Sequence, residues 1–140
     1  MEGGAAALAL ASGTSAVYYS IINICSAGDE IVAANNLYGG TYKMFDSILP
    51  QFGIQVKFAD PRDPLNIATA LSEKTRAIFI EAIGNPLLEV TDIGAVSEIA
   101  RKLNLPLIVD ATFTTPHLLK SIEYGADNVV NSLTKWMGGH

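Results

Sequence analysis

The stretch that decides the fold reads LIVDATFTTPHLLKSIEYGADNVV, residues 107–130. It opens with a short apolar run, continues with helical spacing over 118–124, and closes with a second apolar run at 128–130. Two such runs joined by an amphipathic stretch predict parallel strands connected by a crossover helix. Gly125 is expected to end that helix.

The same alternation extends towards the amino terminus. Apolar runs predict strands at residues 7–11, 31–33, 54–59 and 77–81. The intervening stretches predict helices that end at Cys25 and at Leu49 before Pro50, and further helices over 65–71 and 95–103. This order predicts an α/β domain with a largely parallel sheet covered by helices.

Composition narrows the class of protein. The chain has 140 residues, of which 49% are hydrophobic and 16% charged, enough for one domain with a sizeable core. A net charge of -5 argues against nucleic acid or an anionic membrane as a partner. The single cysteine, Cys25, is predicted to be a buried packing residue and fits a reducing compartment such as the cytoplasm.

Polar clusters follow the apolar runs at residues 12–14, 81–85, 110–112 and 132–135. Ligands of parallel sheets bind beyond the carboxyl ends of the strands. Lys135 has two hydroxyls beside it, Ser132 and Thr134, and Asp110 ends a neighbouring apolar run. A lysine can form a Schiff base with pyridoxal phosphate, and an acid keeps its pyridine nitrogen protonated. The pattern therefore predicts a pyridoxal phosphate site.

Other candidates have simpler alternatives. Ser12, Gly13 and Thr14 form either a phosphate site at a helix start or an ordinary N-cap. Tyr38 either stacks on a flat cofactor or is a common surface or core tyrosine, and Asn85 before Pro86 is either a hydrogen-bond donor or a turn residue.

Asp110 is also compatible with a helix cap or a solvated acid, while Thr112 is expected to buttress one face of the ring. The spacing of His117, His140 and Cys25 predicts no metal site.

Taken together, the motifs resemble those of the Cys/Met-metabolism family of pyridoxal phosphate enzymes. They are EGG (2–4), ASG (11–13), LYGGTY (37–42), GNP (84–86), VDATF (109–113) and SLTKW (132–136). The segments EAIGNP (81–86) and TKWMGGH (134–140) are most similar to the O-acetylhomoserine sulfhydrylase branch. The resemblance implies a three-layer α/β/α sandwich, part of the large domain of a fold-type-I enzyme.

The resemblance also implies roles for single residues. Lys135 would be the Schiff-base lysine, and Tyr38 would stack on the ring as a second catalytic residue. Asp110 would pair with the pyridine nitrogen. The remaining implied cofactor ligands are Ser12, Gly13, Thr14, Asn85, Thr112, Ser132 and Thr134.

The implied activity is a transferase reaction in which O-acetylhomoserine and sulfide give homocysteine and acetate. The alternatives are a methionine or cystathionine lyase or synthase of the same family, or a non-catalytic fragment or assembly module that binds no cofactor. The resemblance further implies a homo-oligomer, a tetramer in the family, whose neighbouring subunit completes the phosphate site. Residues 1–140 are then expected to be a partial large domain without its N-terminal segment and small C-terminal domain, inactive alone.

Overall fold

Five parallel strands form the centre of the computed structural model, which describes residues 1–138. The strands lie in the order β2-β1-β3-β4-β5. The prediction of a largely parallel sheet is confirmed. The strands are β1 (Glu30–Ala34), β2 (Gln55–Ala59), β3 (Thr75–Glu81), β4 (Leu107–Asp110) and β5 (Asn128–Val130).

Helices connect the strands and cover both faces of the sheet. Because parallel crossovers are right-handed, the β1–β2 connection lies on one face and the β2–β3 and β3–β4 connections lie on the other. This arrangement is the expected three-layer sandwich. The helices are α1 (Gly13–Ile22), α2 (Gly39–Lys43), α3 (Pro64–Ala70), α4 (Ile93–Lys102) and α5 (Thr115–Leu118).

Several predicted elements are wrong. Residues 7–11 form no strand; Leu8 is 79% exposed, and this alanine-rich stretch lacks the β-branched residues that favour strands. The helix predicted to stop before Pro50 instead continues through a π-helix, Met44–Ile48, into a 3-10 helix, Leu49–Phe52. Proline is tolerated there because a first-turn residue needs no N–H partner.

Two other helix boundaries also differ from the prediction. The helix predicted over 118–124 is two short elements, α5 and the 3-10 helix Ser121–Tyr124, separated at Leu119, which has extended backbone. The first helix ends at Ile22 rather than Cys25. Gly125 adopts a positive φ of 99° after the 3-10 helix, as expected for a capping glycine.

The core lies between the sheet and both helical layers. Every residue of β1 is buried, and Phe45 packs edge-on against Phe79 of β3 with ring centroids 4.9 Å apart. Cys25 is buried as predicted, and burial raises the pKa of its thiol to about 11, so it stays protonated. Gly139 and His140, the end of the branch motif, lie outside the described residues.

No helix within residues 1–138 has both the length and the apolar character needed to cross a membrane.

A buried carboxylate stabilises the amino-terminal edge of the sheet. Glu30 accepts hydrogen bonds from Ser72 and Thr75, each 2.9 Å long, and pairs with Lys57 at 3.0 Å. Burial alone would raise the pKa of Glu30, but the hydrogen bonds from Lys57, Ser72 and Thr75 lower it overall. Glu30 is therefore expected to be charged and fully paired.

Replacing Glu30 with alanine is expected to lower the free energy of unfolding by about 2–4 kcal/mol, because two hydroxyls lose their buried acceptor. Since the folded pKa is lowered, this stabilisation is complete above the ordinary pKa of 4.5 and is lost as the pH falls through the folded pKa. Urea unfolding at neutral and acidic pH measures both effects. Glu98→Ala, at an exposed position on α4, is the control; equal stability of the two variants would contradict the prediction.

Candidate cofactor site at the carboxyl edge of the sheet

A chain of hydrogen bonds joins the end of β4 to the turn that carries Lys135. Asp110 accepts from the Thr112 N–H at 2.9 Å, and the Thr112 hydroxyl accepts from the Ser132 N–H, also at 2.9 Å. The Ser132 carbonyl then accepts from the Lys135 N–H at 3.1 Å. The structure thus places the predicted acid and the predicted lysine segment at the same edge of the sheet.

The start of α1 approaches the same turn closely. A Cβ built on Gly13 would lie 2.7 Å from Ser132 Cβ and 2.9 Å from Ser132 Oγ, so only glycine permits this approach. The Ser132 and Thr134 hydroxyls lie 3.1 Å apart beside it. First-turn N–H groups and hydroxyls in one place provide the donors that a phosphate requires.

Ser12 is an N-cap, as the simpler of the two interpretations predicted. It is the N-cap of α1, and its hydroxyl accepts from the Ser15 N–H at 3.0 Å. Thr14, at the second position of the helix, is exposed. An N-cap and an anion site are compatible, because capping by Ser12 satisfies only one of the free N–H groups.

Tyr38 and Asn85 follow β1 and β3, which are neighbours in the sheet order. Tyr38 comes after β1 and is the N-cap of α2, with half of its surface exposed. Asn85 comes after β3, precedes Pro86 through a cis peptide bond, and donates its N–H to the Asn36 carbonyl at 3.1 Å. Both residues lie at the carboxyl edge, which the sequence predicted for Asn85, within the polar cluster 81–85, but not for Tyr38.

Glu81 is a site residue to which the sequence analysis assigned no role. It ends β3 directly beside Asp110, which ends β4, and its carboxylate accepts from the Tyr38 N–H at 2.7 Å. Its signal in the sequence was an acid that directly follows the apolar run 77–80, the same signal that identified Asp110.

Burial dominates the electrostatics of the two acids. Burial and the charge of Asp110 raise the pKa of Glu81 to about 8, although the hydrogen bond from the Tyr38 N–H lowers it in part. The Asn85 N–H, which donates to the Asn36 carbonyl, lowers the pKa of Glu81 least. Burial also raises the pKa of Asp110. A cationic group beside Asp110 would favour its ionised form, which suits a protonated pyridine nitrogen.

A parallel sheet whose carboxyl edge brings together a helix N-terminus, hydroxyl groups, a buried acid and a lysine-bearing turn is the arrangement expected of a domain that binds a phosphate-containing cofactor. The model of the family described as Cys/Met metabolism PLP-dependent enzyme matches residues 1–140. The chain therefore belongs to that family, whose cofactor is pyridoxal phosphate.

Two curated relatives are similar over the whole chain. An O-acetyl-L-homoserine sulfhydrylase of Leptospira meyeri is 49% identical, and a homocysteine synthase of Schizosaccharomyces pombe is 45% identical. The chain covers 32% and 33% of these proteins, so it spans about a third of the length of the curated relatives it matches.

Two solved structures share the fold. A Campylobacter jejuni protein described as an O-acetylhomoserine (thiol)-lyase, which carries N'-pyridoxyl-lysine-5'-monophosphate, superposes with a TM-score of 0.97 at 37% identity. Cystathionine gamma-lyase from Lactobacillus plantarum, complexed with L-serine, superposes with a TM-score of 0.93 at 38% identity. Each comparison covers 99% of this chain, and 34% and 36% of the respective structures.

Replacing Gly13 with alanine in the native polypeptide that carries residues 1–140 is expected to weaken pyridoxal phosphate binding by about tenfold or more. The added Cβ would separate α1 from Ser132 and misplace the phosphate donors. Equilibrium titration followed by cofactor absorbance measures the affinity.

Gly94→Ala on α4 is the matched control, because its Cβ would meet only the Asp92 carboxylate at 3.4 Å. Unchanged affinity in Gly13→Ala would show that this close approach does not form the phosphate site.

Proposed function

We propose that residues 1–140 form the cofactor-binding part of an enzyme that converts O-acetylhomoserine and sulfide into homocysteine and acetate. The observation that carries this proposal is the 49% identity with an O-acetyl-L-homoserine sulfhydrylase over the 140 residues of the chain. The reaction belongs to methionine and cysteine metabolism and replaces a group at the substrate Cγ.

The residues present fit pyridoxal phosphate. Gly13, Ser132 and Thr134, with the N-terminus of α1, would hold the phosphate, since the cradle leaves no room for a Cβ at Gly13. Asp110 would hold the pyridine nitrogen protonated, and Tyr38 would cover one face of the ring. Ser12 and Thr14 would support the phosphate loop, with Thr112 below the ring and Asn85 beside its phenolic oxygen.

Bound pyridoxal phosphate would withdraw electrons from the substrate Cα and so make its proton acidic. Lys135 is exposed at this edge, where its amine would remove the proton at Cα and move a proton at Cβ. Acetate then leaves from Cγ, and sulfide takes its place. Asp110 would contribute a negative charge in a largely buried position, which a protonated pyridine nitrogen beside it would favour.

The native polypeptide is assayed with O-acetylhomoserine and sulfide, and homocysteine and acetate are quantified. We expect both products in equal amounts. Release of an α-keto acid from methionine or cystathionine, without homocysteine from O-acetylhomoserine, would instead support a lyase, the candidate favoured by the similarity to cystathionine gamma-lyase. Absence of any cofactor absorbance would support the non-catalytic alternative.

The proposal includes a homo-oligomer in the reducing cytoplasm. Support for the compartment comes from Cys25, a buried free thiol. Exposed apolar side chains at this edge, Leu133 at 58% and Trp136 at 66%, provide surface for a further segment or subunit. Sedimentation of the native polypeptide measures the oligomeric state.

A further inference from the structure

Glu81 is a buried acid that the proposed chemistry does not use. It is 4% exposed, at the end of the central strand β3, between β1 and β4 in the sheet order. Its neighbour on one side is Asp110, and on the other side the chain leaving β1 leads to Tyr38. Burying a carboxyl group costs free energy unless it is hydrogen-bonded, and an apolar side chain would fill the same space without that cost.

The contact that explains Glu81 is its hydrogen bond with the backbone of Tyr38. The Tyr38 N–H donates to Glu81 Oε1 at 2.7 Å, across 43 positions of sequence. Tyr38 is the N-cap of α2 and has no side-chain capping bond. Glu81 thus fixes the point at which the chain turns into that helix.

Two further contacts restrict the position of the Tyr38 ring. A Cβ built on Gly40 would lie 2.7 Å from Cε1 of Tyr38, so the ring packs directly on the Gly40 backbone. At the other end of α2, Tyr42 stacks on Phe58 of β2 with ring centroids 4.5 Å apart. With both ends of the short helix anchored, the backbone bond to Glu81 determines where the half-exposed Tyr38 ring lies.

We propose that Glu81 is a positioning residue that sets the place of the Tyr38 ring through its hydrogen bond from the Tyr38 N–H, without itself touching the cofactor. The inference rests on the proposed pyridoxal phosphate site, because the ring that Tyr38 would cover is that of the cofactor. Its structural part, the link between the Glu81 carboxyl and the Tyr38 backbone, stands independently of any ligand.

The test compares Glu81→Leu with Glu81→Gln in the native polypeptide. Leucine fills the buried space but has no acceptor, whereas glutamine keeps a carbonyl oxygen for the Tyr38 N–H. In the cofactor-free protein, hydrogen exchange at the Tyr38 amide is expected to be about tenfold or more faster in Glu81→Leu, and close to wild type in Glu81→Gln. Should Glu81→Leu fail to fold, Glu81→Ala takes its place.

Glu30→Gln is the matched control. It alters a buried carboxyl at the opposite edge of the same sheet and is expected to leave exchange at the Tyr38 amide unchanged. With pyridoxal phosphate added, the visible circular dichroism of the bound cofactor reports the relative placement of the two rings. We expect it to change in Glu81→Leu and to be restored in Glu81→Gln.

Wild-type exchange at the Tyr38 amide in Glu81→Leu, or equal acceleration in the leucine and glutamine variants, would overturn the inference. If the wild-type protein shows no cofactor dichroism at all, the proposed function fails, and the exchange measurement still decides the role of Glu81. The two failures are therefore distinguishable.

Discussion

Lys135→Ala in the native polypeptide is expected to abolish the covalent attachment of pyridoxal phosphate and to lower the rate of homocysteine formation by about 10⁴-fold. The alanine side chain has neither the amine that attaches the cofactor nor the base that moves protons at Cα and Cβ, and acid–base catalysis by one group contributes up to about 10⁴-fold. Borohydride reduction followed by peptide mass analysis shows whether residue 135 carries the cofactor.

Lys102→Ala is the control for this variant. Lys102 is an exposed lysine at the end of α4, remote in the fold from the turn after β5. If borohydride still traps the cofactor on the Lys135→Ala protein, or if the Lys102 variant loses the adduct equally, the assignment of Lys135 is wrong.

Asp110→Asn is expected to reduce the rate by at least about a hundredfold. Asparagine keeps the hydrogen bond from the Thr112 N–H but has no charge, so a protonated pyridine nitrogen would lose its partner in a largely buried position. Removing one member of a buried ion pair costs about 3–5 kcal/mol, which corresponds to more than a hundredfold. Steady-state rates and the pyridoxal phosphate affinity measure the loss.

Asp46→Asn, at an exposed position in the π-helix, is the control for the charge change. A rate for Asp110→Asn within about threefold of wild type would show that this acid does not hold the pyridine nitrogen.

Much of the sheet could be predicted because its strands contain short apolar runs, or in β2 an alternating pattern, separated by amphipathic stretches. The predicted strands at residues 77–81 and 107–110 are confirmed, and the acids that end them lie side by side at the carboxyl edge. The strand predicted at residues 7–11 was wrong because a run of alanine and leucine is equally apolar in a strand and in an irregular segment. Only pairing with neighbouring strands distinguishes the two structures.

Other features depend on contacts between distant segments. The helical path through Pro50 depends on Phe45 and Leu49, which are fully buried and hold the segment against the sheet. Glu81 could be placed on a strand from its sequence, but its bond to the Tyr38 backbone depends on the order β1-β3-β4, which no local pattern encodes. Tertiary pairing, rather than propensity, determined both outcomes.

The close approach of Gly13 to Ser132 has a consequence for folding. These two residues are far apart in the sequence, so their close contact exists only after α1 has docked against the segment that follows β5. A phosphate bound there would contact both α1 and the turn after β5, and so would stabilise their docked arrangement. By mass action, a ligand at a hundred times its dissociation constant raises the free energy of unfolding by about 2.7 kcal/mol. Cofactor binding and folding of this domain are therefore thermodynamically coupled.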